Sequence, residues 1–170
     1  MPFDAAWVIA WARLAADAVR ERREELTALD AAIGDGDHGE NLDRGLHAAV
    51  AALDEAQASG RGPATPAEAL KTVATTLITT AGGAAGLLLG TACLWAARAA
   101  QTVGGDDGRI DAAGVARIVR EACAGVQSRG RAEPGDKTMA DAWYSAAGAA
   151  RLAADEGLDP VGVLERAARA

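Results

Sequence analysis

Residues 72–97, TVATTLITTAGGAAGLLLGTACLWAA, form an uncharged stretch that decides the fold class. Its 26 residues are long enough to cross a bilayer. However, ten of them are threonine or glycine, and Gly82-Gly83 interrupts the run near its middle. Glycine pairs disfavour a continuous helix because glycine loses the most backbone freedom on ordering. We therefore predict two helices buried in a soluble bundle, over residues 66–79 and 83–100, and no membrane span.

The composition extends this prediction to the whole chain. Alanine, the best helix former, accounts for 45 of the 170 residues, while tyrosine and phenylalanine occur once each. Apolar residues recur with helical spacing nearly throughout. We predict a single all-α domain over residues 1–170, an antiparallel bundle of seven to eight helices. The spacing places Leu14 on the inner face of the first helix, and Leu26 and Leu29 on that of the next.

Charge and cysteine content restrict the function classes. The net charge of −7 argues against nucleic acid or an anionic membrane as a partner. Cys93 and Cys123 are too few for a disulfide framework, and both lie in apolar helical stretches, so we expect buried thiols. The N-terminus has no basic region and no cleavage site typical of a signal peptide. A cytoplasmic location is the expectation.

The densest chemical signal is DAAIGDGDHGEN, residues 30–41, in which Asp30, Asp35 and Asp37 fall within eight positions. If the chain reverses at Gly34 and Gly36, the three carboxylates converge. At about 4 Å each pair would repel by about 4 kcal/mol at an effective dielectric near 20, and a divalent cation would offset that cost. Oxygen ligands favour Mg²⁺ or Ca²⁺, and the spacing does not fit an EF-hand.

Two of the aspartates also have simpler structural interpretations. Asp37 with Glu40 three positions later is typical of a helix N-terminal capping box. Asp30 is compatible with a solvated carboxylate on the last turn of a helix. The cluster as a whole, with its two glycines, favours a metal site over these alternatives.

A second signal is TTAGGAAG, residues 79–86, where a glycine-rich turn opens a helix. The first amides of a helix have no intrahelical partner and carry the positive end of the dipole, so they bind anions. The small side chains would let a polyphosphate approach the backbone. The alternative is a tight turn between two closely packed helices.

A third signal is GRAEPGDKTM, residues 130–139. It nearly matches a P-loop, but Asp136 is inserted before the lysine and no strand precedes it, so we exclude a P-loop. Asp136, and Thr138 with Asp141, are typical helix-start residues. Lys137 is one of two lysines in the chain. A phosphate contact and a solvated side chain are both compatible with it.

Together and in this order, the three segments resemble the nucleotide-binding L subunit of dihydroxyacetone kinases. The family pattern of an aspartate followed by Gly-Asp-x-Asp-His-Gly-x-Asn is met by Asp30 and residues 34–41. The family turn Gly-Gly-Ala-Ser-Gly corresponds to residues 82–86, and Arg-Gly-x-Ala-x-x-Gly-Asp-Lys-Thr-Met corresponds to residues 129–139. The resemblance spans residues 5–165 and implies an antiparallel helical barrel with phosphotransferase activity.

The resemblance also implies ligands and partners. It implies ADP or ATP bound at one end of the barrel through two Mg²⁺ ions, the metals being held by Asp30, Asp35 and Asp37. Dihydroxyacetone would be held by a separate K-type subunit, and a phosphohistidine protein of the phosphotransferase system would be a second partner in the phosphoenolpyruvate-dependent form. The implied nucleotide contacts are His38, Gly39, Glu40, Asn41, Ala84, Ala85, Gly130 and Met139.

Two features depart from the family pattern. Ala85 stands where the family has serine, which removes a hydroxyl from the glycine-rich turn. The family's later segments, an arginine-containing loop and an Asp-Pro-Gly turn that close over the nucleotide, do not occur in these 170 residues. These departures motivate the alternative hypothesis of a degenerate, non-catalytic helical module that binds a partner or regulator.

Overall fold

The computed structural model describes residues 3–104 and 109–170, and within them the chain forms eight α-helices and no sheet. This confirms the all-α prediction. A single antiparallel bridge between Phe3 and Ile110 joins the start of the chain to the segment before α6. The helices are α1 (Ala5–Glu21), α2 (Arg23–Ala31), α3 (His38–Ala58), α4 (Pro66–Thr80), α5 (Gly83–Val103), α6 (Ala112–Gly130), α7 (Met139–Asp155) and α8 (Pro160–Ala168).

Helices that follow one another from α3 onward pack side by side, as the antiparallel prediction requires. The pairs α3–α4, α4–α5, α5–α6, α6–α7 and α7–α8 are all in contact, and α1 lies against α3 and α4. Helix α2 follows α1 after a break at Arg22 and packs on α3. The domain is therefore a helical bundle in which α5 is flanked by α4 and α6 and the short α2 lies at the margin.

Helix α5 is long and apolar enough to span a membrane by composition, with a mean hydropathy of 1.3 over the best window. In the fold it lies between α4 and α6. Its buried residues are all alanine or glycine. Small side chains let neighbouring helices approach closely, so these buried alanines and glycines serve helix packing.

The core is built mainly from small side chains, and this explains one wrong prediction. The buried stripe of α1 is Val8, Ile9, Ala12 and Ala16, whereas Leu14 is 70% exposed. In an alanine-rich sequence the closest helix contacts occur at alanines, so a leucine does not by itself mark the inner face. The prediction for α2 fails for a different reason, because this helix lies at the margin and buries no residue, with Leu29 64% exposed and Leu26 partly buried.

Helix α5 ends at Val103, three residues beyond its predicted end, and left-handed residues lie near both ends of the loop between α6 and α7. Helix α6 continues through Gly130 and ends because Arg131 adopts a left-handed conformation with φ 55°. Helix α7 begins at Met139, directly after its N-cap Thr138, and Lys137 before the cap is also left-handed with φ 58°. The segment between these helices is therefore a compact loop with two strained non-glycine residues.

The structure confirms the predicted burial of Cys123 and only in part that of Cys93. Cys123 is buried and Cys93 is partly buried against the core. Burial raises the pKa of both thiols, that of Cys93 to about 12. Both therefore remain protonated at neutral pH and are poor nucleophiles.

The exposure of Leu14 can be tested against a fully buried leucine. We expect Leu53→Ala to lower the free energy of unfolding by about 2–5 kcal/mol, because Leu53 is 0% exposed and its loss leaves a cavity. Leu14→Ala should change it by no more than about 0.5 kcal/mol. Urea denaturation of both variants measures the difference, and equal costs would contradict the assignment of the inner face of α1.

Candidate functional site

The turn between α2 and α3 brings the three aspartates together. Gly36 is left-handed, with φ 74°, and at Gly34 a Cβ atom would lie 2.6 Å from the Oδ1 atom of Asp30. Both positions therefore favour glycine, as the sequence predicts. One carboxylate oxygen from each of Asp30, Asp35 and Asp37 lies within 4.8 Å of the other two.

Asp30 also holds the start of α3. Its Oδ2 atom accepts hydrogen bonds from the backbone N–H groups of Asp37 (3.0 Å) and His38 (3.3 Å). Asp37 occupies the N-cap position of α3, but its own side chain makes no capping hydrogen bond. The capping-box alternative for Asp37 and Glu40 is therefore wrong, because the cap comes from the preceding helix and leaves the Asp37 carboxylate free.

The cluster concentrates negative charge without a basic partner. Among the described residues, no arginine, lysine or histidine forms an ion pair with any of the three aspartates. At 4.8 Å the repulsion of one pair lies between about 1 kcal/mol in a water-like dielectric and about 3.5 kcal/mol at a dielectric near 20. Asp35 and Asp37 are exposed, which leaves their oxygens accessible. Three clustered carboxylates with open oxygens fit a hard divalent cation such as Mg²⁺.

The glycine-rich turn lies directly beside this cluster. Gly82 and Gly83 have φ 80° and 60° and connect α4 to α5. A Cβ atom at Gly83 would lie 2.9 Å from Nδ2 of Asn41 and 3.7 Å from Oδ1 of Asp37. The fold thus joins two motifs that are more than 40 residues apart in the sequence. The first amides of α5 begin next to the aspartate cluster.

The starts of α3 and α5 differ from most helix starts in this domain. Asp4, Thr65, Asp111, Thr138 and Asp159 cap α1, α4, α6, α7 and α8 with their own side chains. The N-cap residues of α3 and α5 make no such hydrogen bond. At α5 no side chain supplies the cap in the described structure, so its first amides remain available to an anion.

Asn41 is the one buried polar residue in the described core, at 6% exposure. Its Oδ1 atom accepts a hydrogen bond from Nη2 of Arg44. Within the described residues its Nδ2 group has no hydrogen-bond partner, although it points toward Gly83. The three sequence motifs do not include Arg44. The available signal was its spacing of three residues from Asn41, which places both on one helix face.

Some of the other predicted nucleotide contacts on α3 and α5 are accessible at the site, and others are buried in contacts between helices. His38 is partly buried at the first position of α3, and Glu40 is exposed. Gly39 is buried against α2, where a Cβ atom would lie 2.2 Å from the Arg23 carbonyl oxygen, so this glycine permits helix contact. Ala84 is exposed and Ala85 is buried, both in the first turn of α5.

The third motif lies at the same end of the bundle. Gly130 ends α6 beside α5, and a Cβ atom there would lie 3.2 Å from Leu88. Met139 begins α7 and packs partly buried against the core. Lys137 is exposed on the intervening loop. In the described part of the chain, no hydrogen bond or ion pair connects this loop to the aspartate cluster.

The loop is organised by two carboxylates. Thr138 and Asp141 form the predicted capping box at the start of α7. Asp141 also accepts a 2.6 Å hydrogen bond from the Gly135 N–H group. Asp136 does not cap the helix, contrary to the prediction, because its carboxylate accepts from the Glu133 N–H group within the loop.

Comparison with known proteins assigns the family. A family model described as the DAK2 domain matches residues 32–170, which include Asp35 and Asp37 and begin just after Asp30. The chain belongs to the DAK2 domain family. Over 143 residues it is 36% identical to the "PEP-dependent dihydroxyacetone kinase 1, ADP-binding subunit DhaL" of Listeria innocua, covering 84% of this chain and 67% of that subunit.

Two further relatives agree with this assignment. The Escherichia coli "PEP-dependent dihydroxyacetone kinase, ADP-binding subunit DhaL" is 34% identical over 160 residues, covering 94% of this DAK2 chain and 72% of that subunit. The crystal structure of the dihydroxyacetone kinase of C. freundii matches with a TM-score of 0.67 at 24% identity. That match covers 89% of this chain and 26% of the solved chain, and it shows that the fold is shared.

The glycine-rich turn of this DAK2 domain generates a stability prediction with an internal control. Gly83→Ala should lower the free energy of unfolding by at least about 1 kcal/mol, because a left-handed alanine is strained and its Cβ would press on Asn41. Gly148→Ala, in the middle of α7 with no atom within 4 Å of the new Cβ, should raise it by about 0.5–1 kcal/mol. Chemical denaturation measures both, and a stabilising Gly83→Ala would contradict the turn geometry.

The loop before α7 generates a pH prediction. The hydrogen bond from Gly135, aided by those from Thr138 and Lys137, lowers the pKa of Asp141 below its usual 3.8. A lowered folded-state pKa means that the ionised carboxylate stabilises the fold above the unfolded-state pKa, and that this stabilisation is lost as the pH falls through the folded-state pKa. Asp141→Asn should therefore lower the Tm at pH 7, and the difference from the unaltered chain should shrink as the pH falls below 3.8. A gap that widens in acid would contradict this.

Proposed function

We propose that this DAK2 domain is the nucleotide-binding subunit of a dihydroxyacetone kinase and acts as a phosphotransferase. The observation that carries the proposal is the unpaired aspartate cluster beside the uncapped start of α5. One feature suits a divalent cation and the other suits phosphate oxygens, and together they fit a metal–nucleotide complex. The relatives named as ADP-binding subunits support ADP, with ATP as the alternative nucleotide.

The proposed roles follow from the contacts. Asp30, Asp35 and Asp37 would hold Mg²⁺, two ions by the family resemblance, which when bound would offset the negative charge of the phosphates. The backbone amides of Ala84 and Ala85 face no side-chain cap and would donate to phosphate oxygens. His38, Gly39, Glu40, Asn41, Gly130 and Met139 would line the rest of the nucleotide, and Lys137 would reach a phosphate only if its loop approaches the cluster.

The division of labour is the one expected for phosphoryl transfer, in which positioning and charge neutralisation supply most of the catalysis. This chain would supply both, and dihydroxyacetone would be bound by a separate K-type subunit. The names of the relatives also support a phosphoenolpyruvate-dependent form, in which a phosphohistidine protein would rephosphorylate bound ADP. A cytoplasmic location belongs to the same proposal.

Titration calorimetry with ADP tests the proposal directly. We expect binding in the presence of Mg²⁺ and its loss with a chelator. Asp35→Asn should weaken binding at least about tenfold, because contacts to charged groups are worth about 1.5–3 kcal/mol. Asp17→Asn, at an exposed aspartate on α1 outside the site, is the matched control and should leave the Kd unchanged. Equal ADP binding with and without Mg²⁺ would contradict the proposal.

The alternative of a non-catalytic module rests on Ala85, which supplies no hydroxyl where the resembling family has serine. It predicts that a K-type partner still binds when Asp30, Asp35 and Asp37 are all changed to asparagine, while neither form of the chain binds ADP. A chain that binds Mg-ADP and supports phosphoryl transfer to dihydroxyacetone on its partner excludes this alternative.

A further inference from the structure

We infer that Arg44 is a positioning residue, which sets the orientation of the Asn41 amide and fixes the Gly82-Gly83 turn against it. This inference rests on the proposed nucleotide function and names a residue that acts on the bound phosphates through Asn41. Arg44 lies on α3, one helical turn after Asn41. None of the three sequence motifs includes it.

The Arg44 guanidinium joins three acceptors from two parts of the chain. Its Nε atom donates to the Thr80 carbonyl at 3.0 Å, and its Nη2 atom donates to the Ala81 carbonyl and to Oδ1 of Asn41. The two carbonyls belong to the last turn of α4 and its C-cap residue, where unpaired carbonyls and the negative end of the helix dipole favour a cation. Arg44 therefore fastens the end of α4 to α3.

The chemistry of the guanidinium fixes which way the Asn41 amide faces. Arginine has five donors and no acceptor, so the atom of Asn41 that faces it must be the oxygen. The Nδ2 donor then faces Gly83 and the start of α5, since a Cβ atom at Gly83 would lie 2.9 Å from it. A phosphate oxygen accepts hydrogen bonds and cannot donate them when ionised. Arg44 thus presents a donor, and not an acceptor, to an anion at α5.

The burial of Asn41 makes this orientation consequential. The residue is 6% exposed, and its Nδ2 group, which is not sealed from solvent, donates no hydrogen bond within the described part of the domain. A ligand acceptor at the start of α5 would therefore meet an open donor whose direction Arg44 has fixed.

Lysine at position 44 would not reproduce the arrangement. Arginine spans several acceptors with a rigid planar fork, whereas the lysine ammonium is a point donor on a flexible chain. One ammonium could bond to Asn41 or to the α4 carbonyls with good geometry, but it would not hold both in register. We therefore expect partial function from Arg44→Lys and less from Arg44→Met, which keeps an apolar side chain of similar length but no donor.

Calorimetric Kd values for Mg-ADP, with the Tm of each variant, test the inference. Arg44→Met should weaken binding about tenfold or more, and Arg44→Lys by a smaller factor. Arg13→Met is the matched control, since Arg13 also joins helices through side-chain contacts, to Asp54 and Gln57, but outside the site. It should leave the Kd unchanged whatever it does to the Tm.

A double-mutant cycle separates positioning from a general structural effect. If Arg44 acts through Asn41, Arg44→Met should have little further effect on the Kd in an Asn41→Ala background. A full tenfold loss in that background, or an unchanged Kd in the Arg44 variants that fold, would overturn the inference. If the unaltered chain does not bind Mg-ADP, both the proposed function and this inference fail. If it binds Mg-ADP and the Arg44 variants bind equally well, only this inference fails.

Discussion

The two hydrogen bonds from the start of α3 to the Asp30 carboxylate are the interaction on which the site depends. They replace the side-chain cap that Asp37 would otherwise supply. Because the cap comes from the preceding helix, α2 and α3 meet at a fixed point and the Asp37 carboxylate remains free. The same bonds set the first turn of α3, and therefore where Asn41 and Arg44 stand one and two turns later. The aspartate cluster and the glycine-rich turn are consequently parts of one arrangement.

Small residues make this arrangement compatible with a packed bundle. The interior of α5 is alanine and glycine, which allows α4 and α6 to lie close on either side. Close packing brings the ends of neighbouring helices to one surface without long connections. The connection from α4 to α5 is one of the short ones, and it is possible because Gly82 and Gly83 lack the Cβ that would strike Arg44 or Asn41. The site is therefore formed by the close approach of helix backbones more than by contacts between large side chains.

The sequence was sufficient for the fold class and for most helix positions, because helical spacing, Gly-Gly and Pro-containing starts are local signals. It also predicted that Asp30, Asp35 and Asp37 could converge, since Gly34 and Gly36 lie between them. It was wrong about Leu14, because residue size is a poor guide to burial where alanines make the closest contacts, and about Leu29, because α2 lies at the margin and buries no residue. It missed Arg44 because the carbonyls that Arg44 binds are 36 and 37 residues away, and only the fold brings them together.

The marginal position of α2 has a consequence for how the domain moves. This helix has no buried side chain, so detaching it exposes little apolar surface and requires far less free energy than unfolding the bundle. Asp30 lies on the last turn of the same helix. The binding of any ligand to the Asp30 carboxylate is therefore thermodynamically linked to the local opening of α2. Ligand binding at the site and the local opening of α2 are therefore steps of one coupled equilibrium.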